Sequence, residues 1–121
     1  MSPKLILVVD DEFDIASSLE LVLEMEGFLV NIAYNGKEAM VLLNQGLRPD
    51  LIITDVMMPV MNGYELFKLM KADPELKKIP LILTSAAQLD ERKLTSGEYS
   101  TFIRKPFDLY KLIAEVKLVF A

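Results

Sequence analysis

Polar side chains follow four of the five short apolar segments of this chain. They are, in chain order, Asp10, Asp11 and Glu12, then Asp55, then Ser85, and then Lys105. Clustered carboxylates repel one another unless a cation lies between them, and oxygen ligands without histidine or cysteine suit Mg²⁺, with Mn²⁺ as a second possibility. A lysine and a hydroxyl nearby suit a phosphoryl group, and an aspartate can itself attack phosphorus to give an acyl phosphate. These residue types predict metal-assisted phosphoryl chemistry if the fold brings them together.

The elements that would position these side chains alternate along the chain. Short segments rich in Ile, Leu and Val predict five strands, at residues 5–9, 28–33, 51–53, 81–83 and 102–103. Between them, aliphatic residues recur at helical spacing. Alternation of strands and helices predicts an α/β fold with a parallel sheet and helices on both faces. We find no linker or repeat, so residues 1–121 are interpreted as one domain.

The predicted helix ends carry suitable capping residues, which are Gly27, Gly46, Asn62 and Asp108. The fourth crossover, residues 86–100, is less regular because Leu89 and Leu94 are its only large aliphatic residues. It predicts a short fourth helix near residues 88–95, followed by a loop through Ser96 and Gly97.

The strand ends are expected to meet, because ligands of open parallel sheets bind beyond the carboxyl ends of the strands. Each residue alone has a simpler explanation: an aspartate after a strand is usually a cap or turn residue, Ser85 a turn hydroxyl and Lys105 a surface lysine. Their joint placement favours a site.

Composition removes several classes of function. The chain has 121 residues, of which 52% are hydrophobic, and a formal net charge of −5. This charge argues against direct nucleic-acid binding. Cysteine and histidine are both absent. Their absence excludes disulfides, catalysis by a thiol or an imidazole, and zinc sites built from cysteine or histidine ligands. No signal-peptide pattern and no apolar run of about 20 residues is present, so we expect a cytoplasmic protein without membrane contact.

Four motifs identify a resemblance: LVVDDE at 7–12, DLIITDVMMPVMNGYEL at 50–66, IPLILTSAA at 79–87 and FIRKPF at 102–107. Over residues 4–120 the chain resembles the receiver domain of two-component response regulators. The resemblance implies a flavodoxin-like, five-stranded sheet in the order 2-1-3-4-5. It also implies that Asp55 is the phosphoacceptor, and that Asp10, Asp11, Asp55 and the backbone carbonyl of Met57 bind Mg²⁺.

Further roles follow from the same resemblance. Ser85 rather than Thr84 is expected to turn toward the phosphoryl group, Lys105 to pair with its oxygens, and Phe102 to act as the aromatic switch residue. Three residues are expected to shape loops, and these are Pro59, Gly63 and Pro106. The side chains of Met57 and Ala87 are expected to influence the water that hydrolyses the acyl phosphate.

The function implied is a phosphorylation-controlled signalling switch rather than an enzyme with turnover. The phosphoryl donor would be a sensor histidine kinase or a histidine phosphotransfer protein, because the chain has no histidine of its own. One alternative is a Mg²⁺-dependent phosphohydrolase with an aspartyl nucleophile, which would need a D-x-D pattern where this chain has Asp10, Asp11 and Asp14. Another is an interaction module that works without phosphorylation. A stand-alone receiver and a part of a longer regulator or hybrid kinase remain open.

Overall fold

The computed structural model describes residues 2–94 and 101–121, without the side chain of Glu91. Its strands are β1 (Leu5–Val9), β2 (Leu29–Ala33), β3 (Leu51–Asp55), β4 (Leu81–Ser85) and β5 (Thr101–Arg104). Its α-helices are α1 (Phe13–Met25), α2 (Gly36–Asn44), α3 (Gly63–Lys71) and α4 (Leu109–Val119), and 3₁₀ turns occur at Leu76–Lys78 and Glu91–Lys93. Strands and helices alternate as predicted except between β4 and β5, where the described residues contain a 3₁₀ turn and no α-helix.

The five strands form one sheet in the order β2-β1-β3-β4-β5, with every pair parallel. Strand β1 pairs with β2 on one side and with β3 on the other, so the order reverses between β1 and β3. A ligand crevice is expected beyond the carboxyl ends of these two strands. The predicted strand order is confirmed.

Apolar side chains cover both faces of the sheet, because successive residues of a strand point to opposite sides. On β3, Ile52 packs in a cluster with residues of α2 and α3, whereas Leu51 and Ile53 pack in a cluster with residues of α1 and α4. All five residues of β3 and all five of β4 are buried. This double burial fixes the central strands rigidly and therefore fixes the positions of their carboxyl ends.

Caps define where the helices begin and end. Asn62 forms a capping box with Glu65 at the start of α3, and the Asp108 carboxylate accepts a hydrogen bond from the Tyr110 amide (2.8 Å) at the start of α4. The residue Gly27 after α1 has φ = +94°, a conformation that glycine adopts without steric cost.

The strand bounds and the fourth crossover differ from the sequence-based expectation. Strand β2 begins one residue later than predicted, and β5 is one residue longer at each end. Strands β3 and β4 are each two residues longer than predicted, because the polar residues at their ends continue the strand ladder: Thr54 pairs with Leu83, and Asp55 with Thr84. In the fourth crossover, residues 88–94 contain one 3₁₀ turn, Glu91–Lys93, where a short helix was expected. The rest of that prediction, Thr95 and the loop through residues 96–97, lies outside the described residues.

Within residues 2–94 and 101–121, the helices are too short or too polar for any of them to cross a lipid bilayer.

Candidate functional site

Asp55 ends the central strand β3 and is held in place on several sides. The residue is only 4% exposed, and its backbone pairs with Thr84 of β4. The amide of Met57 lies 3.3 Å from its Oδ1 atom, and donates a hydrogen bond to it. The carboxylate is therefore fixed at the edge of the sheet by the strand ladder on one side and by the following turn on the other.

Lys105 joins the ends of three strands in one network. Its Nζ atom lies 2.9 Å from Oδ2 of Asp10, 3.2 Å from Oδ2 of Asp55 and 3.3 Å from Oε1 of Glu12. Its backbone amide donates a hydrogen bond of 2.9 Å to the carbonyl oxygen of Ser85. The lysine side chain is only 8% exposed, so its charge is offset by carboxylates more than by water. Of the three sequence-predicted aspartates, Asp10 and Asp55 are thus in direct contact with Lys105.

The electrostatics of the site reflect this crowding. Burial raises the pKa of Asp55, and the neighbouring Asp10 charge raises it further, against the lowering effect of Lys105. Burial by itself would lower the pKa of Lys105, but hydrogen bonding and Coulomb attraction from Asp10, together with Asp55, raise it. The site therefore keeps Lys105 protonated and disfavours the negative charge of Asp55. An additional cation beside Asp55 would offset that charge and is therefore favourable.

Asp10, Asp11 and Asp55 can share such a cation. One carboxylate oxygen from each lies within 4.8 Å of the other two. Asp10 and Asp55 are buried, whereas Asp11 is exposed and gives the group a side open to solvent. Mg²⁺ prefers one or two carboxylates and keeps several waters, so an oxygen-only group with an open side fits this ion. The residues thus fit the metal that the sequence predicted.

Ser85 and Ala87 lie where β4 ends. The Ser85 hydroxyl oxygen accepts a hydrogen bond of 3.0 Å from the Ala87 amide, and the residue is 1% exposed. Thr84 is also buried, and it pairs with Asp55 in the strand register. The assignment of Ser85 rather than Thr84 to the phosphoryl group stays a prediction.

Phe102 of β5 is half-buried and packs against a small cluster of Val56, Tyr64 and Leu83. Val56 follows Asp55 directly, so the Phe102 ring packs against a cluster that includes the residue next to Asp55. This contact provides a physical route for the expected switch role of Phe102, which remains untested.

The loop after β3 is tightly shaped by backbone contacts. The Met61 amide donates to the Pro59 carbonyl (2.8 Å) across Val60, which has φ = 69°, a value that is costly for a β-branched residue. A Cβ atom at Gly63 would lie 2.6 Å from the carbonyl oxygen of Asp55, so only glycine fits there without a shift. The same loop leaves Met57 60% exposed beside Asp55.

Two contacts of the site region were not foreseen from the sequence. Glu12 was noted among the acids after β1 but was given no role, whereas here it contacts Lys105. The hydroxyl of the buried residue Tyr64 accepts a hydrogen bond of 2.7 Å from the Asp90 amide, joining the start of α3 to the fourth crossover. Both contacts join residues far apart in the chain, and no local pattern signals them. The remaining loop residue, Pro106, follows Lys105 through a cis peptide bond.

Comparison with known sequences agrees with this geometry. The profile of the response regulator receiver domain matches residues 6–117. An uncharacterized 14.6 kDa protein of Leptolyngbya boryana is 41% identical over 115 residues, which cover 93% of this chain and 86% of that protein. The chain spans about half the length of other curated relatives, for example 48% of the transcriptional regulatory protein CpxR of Escherichia coli (strain K12), to which it is 33% identical over 94% of its own length.

Solved structures show the same fold. The signal receiver domain of a signal transduction histidine kinase from Syntrophus aciditrophicus has a TM-score of 0.85 and 38% identity, with 96% of this chain and 89% of that chain covered. The response regulator protein TrrA from Thermotoga maritima, in complex with Mg²⁺-BeF, has a TM-score of 0.83 and 33% identity, with 96% and 98% covered. This chain therefore belongs to the response regulator receiver domain family.

Proposed function

We propose that this chain is a phosphorylation-controlled signalling receiver that accepts a phosphoryl group on Asp55. The observation that supports it most directly is the Lys105 network, in which one buried ammonium contacts both Asp10 and Asp55. A buried carboxylate beside a lysine and two further acids suits the in-line transfer of a phosphoryl group.

In the proposed step, a carboxylate oxygen of Asp55 forms a new bond to phosphorus while the P–N bond of a phosphohistidine breaks. The departing imidazole nitrogen keeps the electron pair of that bond. Lys105 is already within 3.2 Å of Asp55, so its ammonium can follow the negative charge from the carboxylate to the new phosphoryl oxygens. The donor would be a sensor histidine kinase or a histidine phosphotransfer protein.

Asp10, Asp11 and Asp55, with the backbone carbonyl of Met57, are the groups proposed to hold Mg²⁺. When bound, the ion neutralises charge on the oxygens of the transferred group. The rigid β3 strand and the hydrogen bond from the Met57 amide orient the Asp55 carboxylate for attack.

The response is proposed to pass through Ser85 and Phe102. A phosphoryl oxygen on Asp55 would accept a hydrogen bond from the Ser85 hydroxyl and draw it toward Asp55, away from its present position, where the hydroxyl oxygen accepts a hydrogen bond of 3.0 Å from the Ala87 amide. Movement of Ser85 would let Phe102 repack against its cluster and favour one of two surface states. The phosphohydrolase alternative is not favoured, since the aspartates after β1 lack the D-x-D spacing.

The test of this proposal is covalent labelling by a small donor. Incubation with acetyl phosphate and Mg²⁺ should add one phosphoryl group, measured by intact mass. Asp55→Asn should add none, and Asp73→Asn, a matched change of a half-buried aspartate in the turn after α3, should label like the parent. Equal labelling of the parent and Asp55→Asn would contradict the assignment. Steady release of phosphate from generic phosphate esters would instead favour the phosphohydrolase.

A further inference from the structure

Glu12 lies beside the carboxylate site but outside the group of three aspartates that is proposed to hold Mg²⁺. Its Oε1 atom accepts a hydrogen bond of 3.3 Å from the Lys105 ammonium. We infer that Glu12 is a positioning residue, which holds one proton of Lys105 until an oxygen of an incoming phosphoryl group replaces its carboxylate. This inference rests on the proposed function, because it concerns the lysine that would pair with the phosphoryl oxygens.

The conformation at the start of α1 directs the Glu12 side chain toward this contact. Glu12 is the N-cap residue of α1, and within the described part of the chain its side chain makes no cap hydrogen bond and extends to Lys105 instead. Its backbone amide donates a hydrogen bond of 2.9 Å to Oδ1 of Asp10, which fixes the Glu12 backbone beside the site. Short polar side chains are the usual caps, because their oxygens lie close to the first helical amides. The longer glutamate side chain here joins the start of α1 to the residue after β5.

Three carboxylates contact the Lys105 ammonium, and their exposure differs. The side chains of Asp10, at 2.9 Å, and Asp55, at 3.2 Å, are 2% and 5% exposed, whereas that of Glu12 is 59% exposed. An ammonium has three protons, so a further acceptor displaces one of the carboxylates. A buried carboxylate that loses its partner is left without compensation, whereas an exposed one is solvated by water. Glu12 is therefore the carboxylate that an incoming oxygen displaces at the lowest cost.

Lys105 can keep its place when the Glu12 carboxylate moves away. Its backbone amide donates a hydrogen bond of 2.9 Å to the carbonyl oxygen of Ser85, and its ammonium donates another of 2.9 Å to Asp10. The Glu12 carboxylate has open space to move into, because Glu12 and Lys105 line a groove of about 520 Å³ between α1 and the segment after β5. Displacement of Glu12 therefore frees one proton of Lys105 without moving the lysine.

Glu12 therefore sets how readily an anionic donor reaches Lys105, and not how fast a bound donor reacts. A donor oxygen has to displace the Glu12 carboxylate before it pairs with Lys105, and this competition raises the donor concentration that gives half of the maximal labelling rate. The maximal rate depends on Asp55 and on the ammonium itself, which stay in place. Because an exposed ion pair contributes little free energy, loss of the Glu12 carboxylate should lower the half-saturating concentration about two- to fivefold.

The first test measures the labelling rate over a range of acetyl phosphate concentrations at fixed Mg²⁺, for the parent chain and for Glu12→Gln. The variant should reach half of its maximal rate at about two- to fivefold lower donor concentration, with a maximal rate within about twofold of the parent rate. An unchanged half-saturating concentration would overturn the proposal. A maximal rate that falls about tenfold or more would also overturn it, because Glu12 would then be needed to hold Lys105 for the reaction.

Two matched variants separate the contact with Lys105 from the charge of Glu12. Glu12→Asp keeps the charge but shortens the side chain by about 1.5 Å, and aspartate is a good N-cap residue, so its carboxylate should turn to the amides of α1. This variant should lower the half-saturating concentration as Glu12→Gln does. Asp14→Asn removes the charge of an exposed carboxylate in the same groove and should label like the parent. If Asp14→Asn matches Glu12→Gln, or Glu12→Asp matches the parent, local charge explains the effect and the proposal fails.

The second test measures binding and needs no phosphoryl transfer. Inorganic phosphate is titrated in the presence of Mg²⁺, and the ¹⁵N resonance of the Lys105 ammonium is followed. Phosphate should shift this resonance at about two- to fivefold lower concentration in Glu12→Gln and Glu12→Asp than in the parent. Equal phosphate affinity, or no shift in any of the three, would overturn the proposal. If acetyl phosphate labels none of these chains but the phosphate affinities differ as expected, the proposed function fails and the role of Glu12 stands.

Discussion

Gly63 offers a sharp test of how the loop after β3 positions Asp55. A Cβ atom at this residue would lie 2.6 Å from the Asp55 carbonyl oxygen and 2.8 Å from the Val56 Cα atom. Ordinary carbon–oxygen contacts are about 3.3 Å or longer, so the backbone would have to move by roughly 0.7 Å. Both neighbours are backbone atoms at the end of a buried strand, and neither can rotate away.

The expected cost follows from this geometry. Forcing an extra methyl group into a well-packed region costs about 1–3 kcal/mol, and we expect Gly63→Ala to lower the free energy of unfolding by about 2 kcal/mol. A misplacement of about 1 Å at a reacting group can slow a reaction about a hundredfold, so labelling by acetyl phosphate should slow at least about tenfold. Urea unfolding and intact mass measure the two effects.

The matched control is Gly46→Ala. Gly46 has φ = +105°, but a Cβ atom there would meet no atom within 4 Å. This change should cost about 1 kcal/mol through backbone conformation alone and should leave the labelling rate unchanged. If Gly63→Ala labels as fast as Gly46→Ala, the close contact between Gly63 and Asp55 does not position the acceptor, and the reasoning fails.

Three further predictions concern the carboxylates and the lifetime of the signal. Asp11→Ala should lose much of the response to Mg²⁺ in a metal titration, while gaining stability in metal-free buffer because like-charge repulsion falls; an unchanged titration would count against the acid pair. Met57→Asn with Ala87→Glu should lose its phosphoryl label faster than the parent at neutral pH, because neither parental side chain can position a water; equal decay would disprove this. The raised pKa of Asp55 means that the folded chain binds the proton of this carboxyl group more tightly than the unfolded chain does. Protonated Asp55 therefore contributes stability that is lost as the pH rises through the raised pKa. In metal-free buffer Asp55→Asn should therefore be more stable than the parent at neutral pH, with the difference vanishing in acid; a difference that is constant with pH would refute it.

Much of the fold is encoded in local patterns. The apolar runs of β3 and β4 predicted strands buried on both faces, and these strands are buried throughout. Their ends were predicted too short because Thr54, Asp55, Thr84 and Ser85 are polar, whereas backbone pairing continues through them. Polarity of a side chain is thus a poor guide to where a strand ends when that end forms a site.

The site is encoded less completely. Residue types after each strand predicted which groups meet, and the structure brings Asp10, Asp11, Asp55 and Lys105 together. Glu12 is the third carboxylate that contacts Lys105, and its position depends on the path of the chain after β1. No local sequence pattern signals a contact between residues so far apart in the chain. The same is true of the Tyr64 hydroxyl and the Asp90 amide, and of the φ of Val60, which opposes the intrinsic preference of valine.

The location of the phosphoryl group tests the central claim most directly. The parent chain would be labelled with acetyl phosphate and Mg²⁺, reduced with borohydride to convert an acyl phosphate into homoserine, digested and mapped by mass. Homoserine should appear at position 55 alone. Homoserine at position 10 or 11 with an intact Asp55, or a label that resists reduction, would contradict the assignment of Asp55 as the phosphoacceptor.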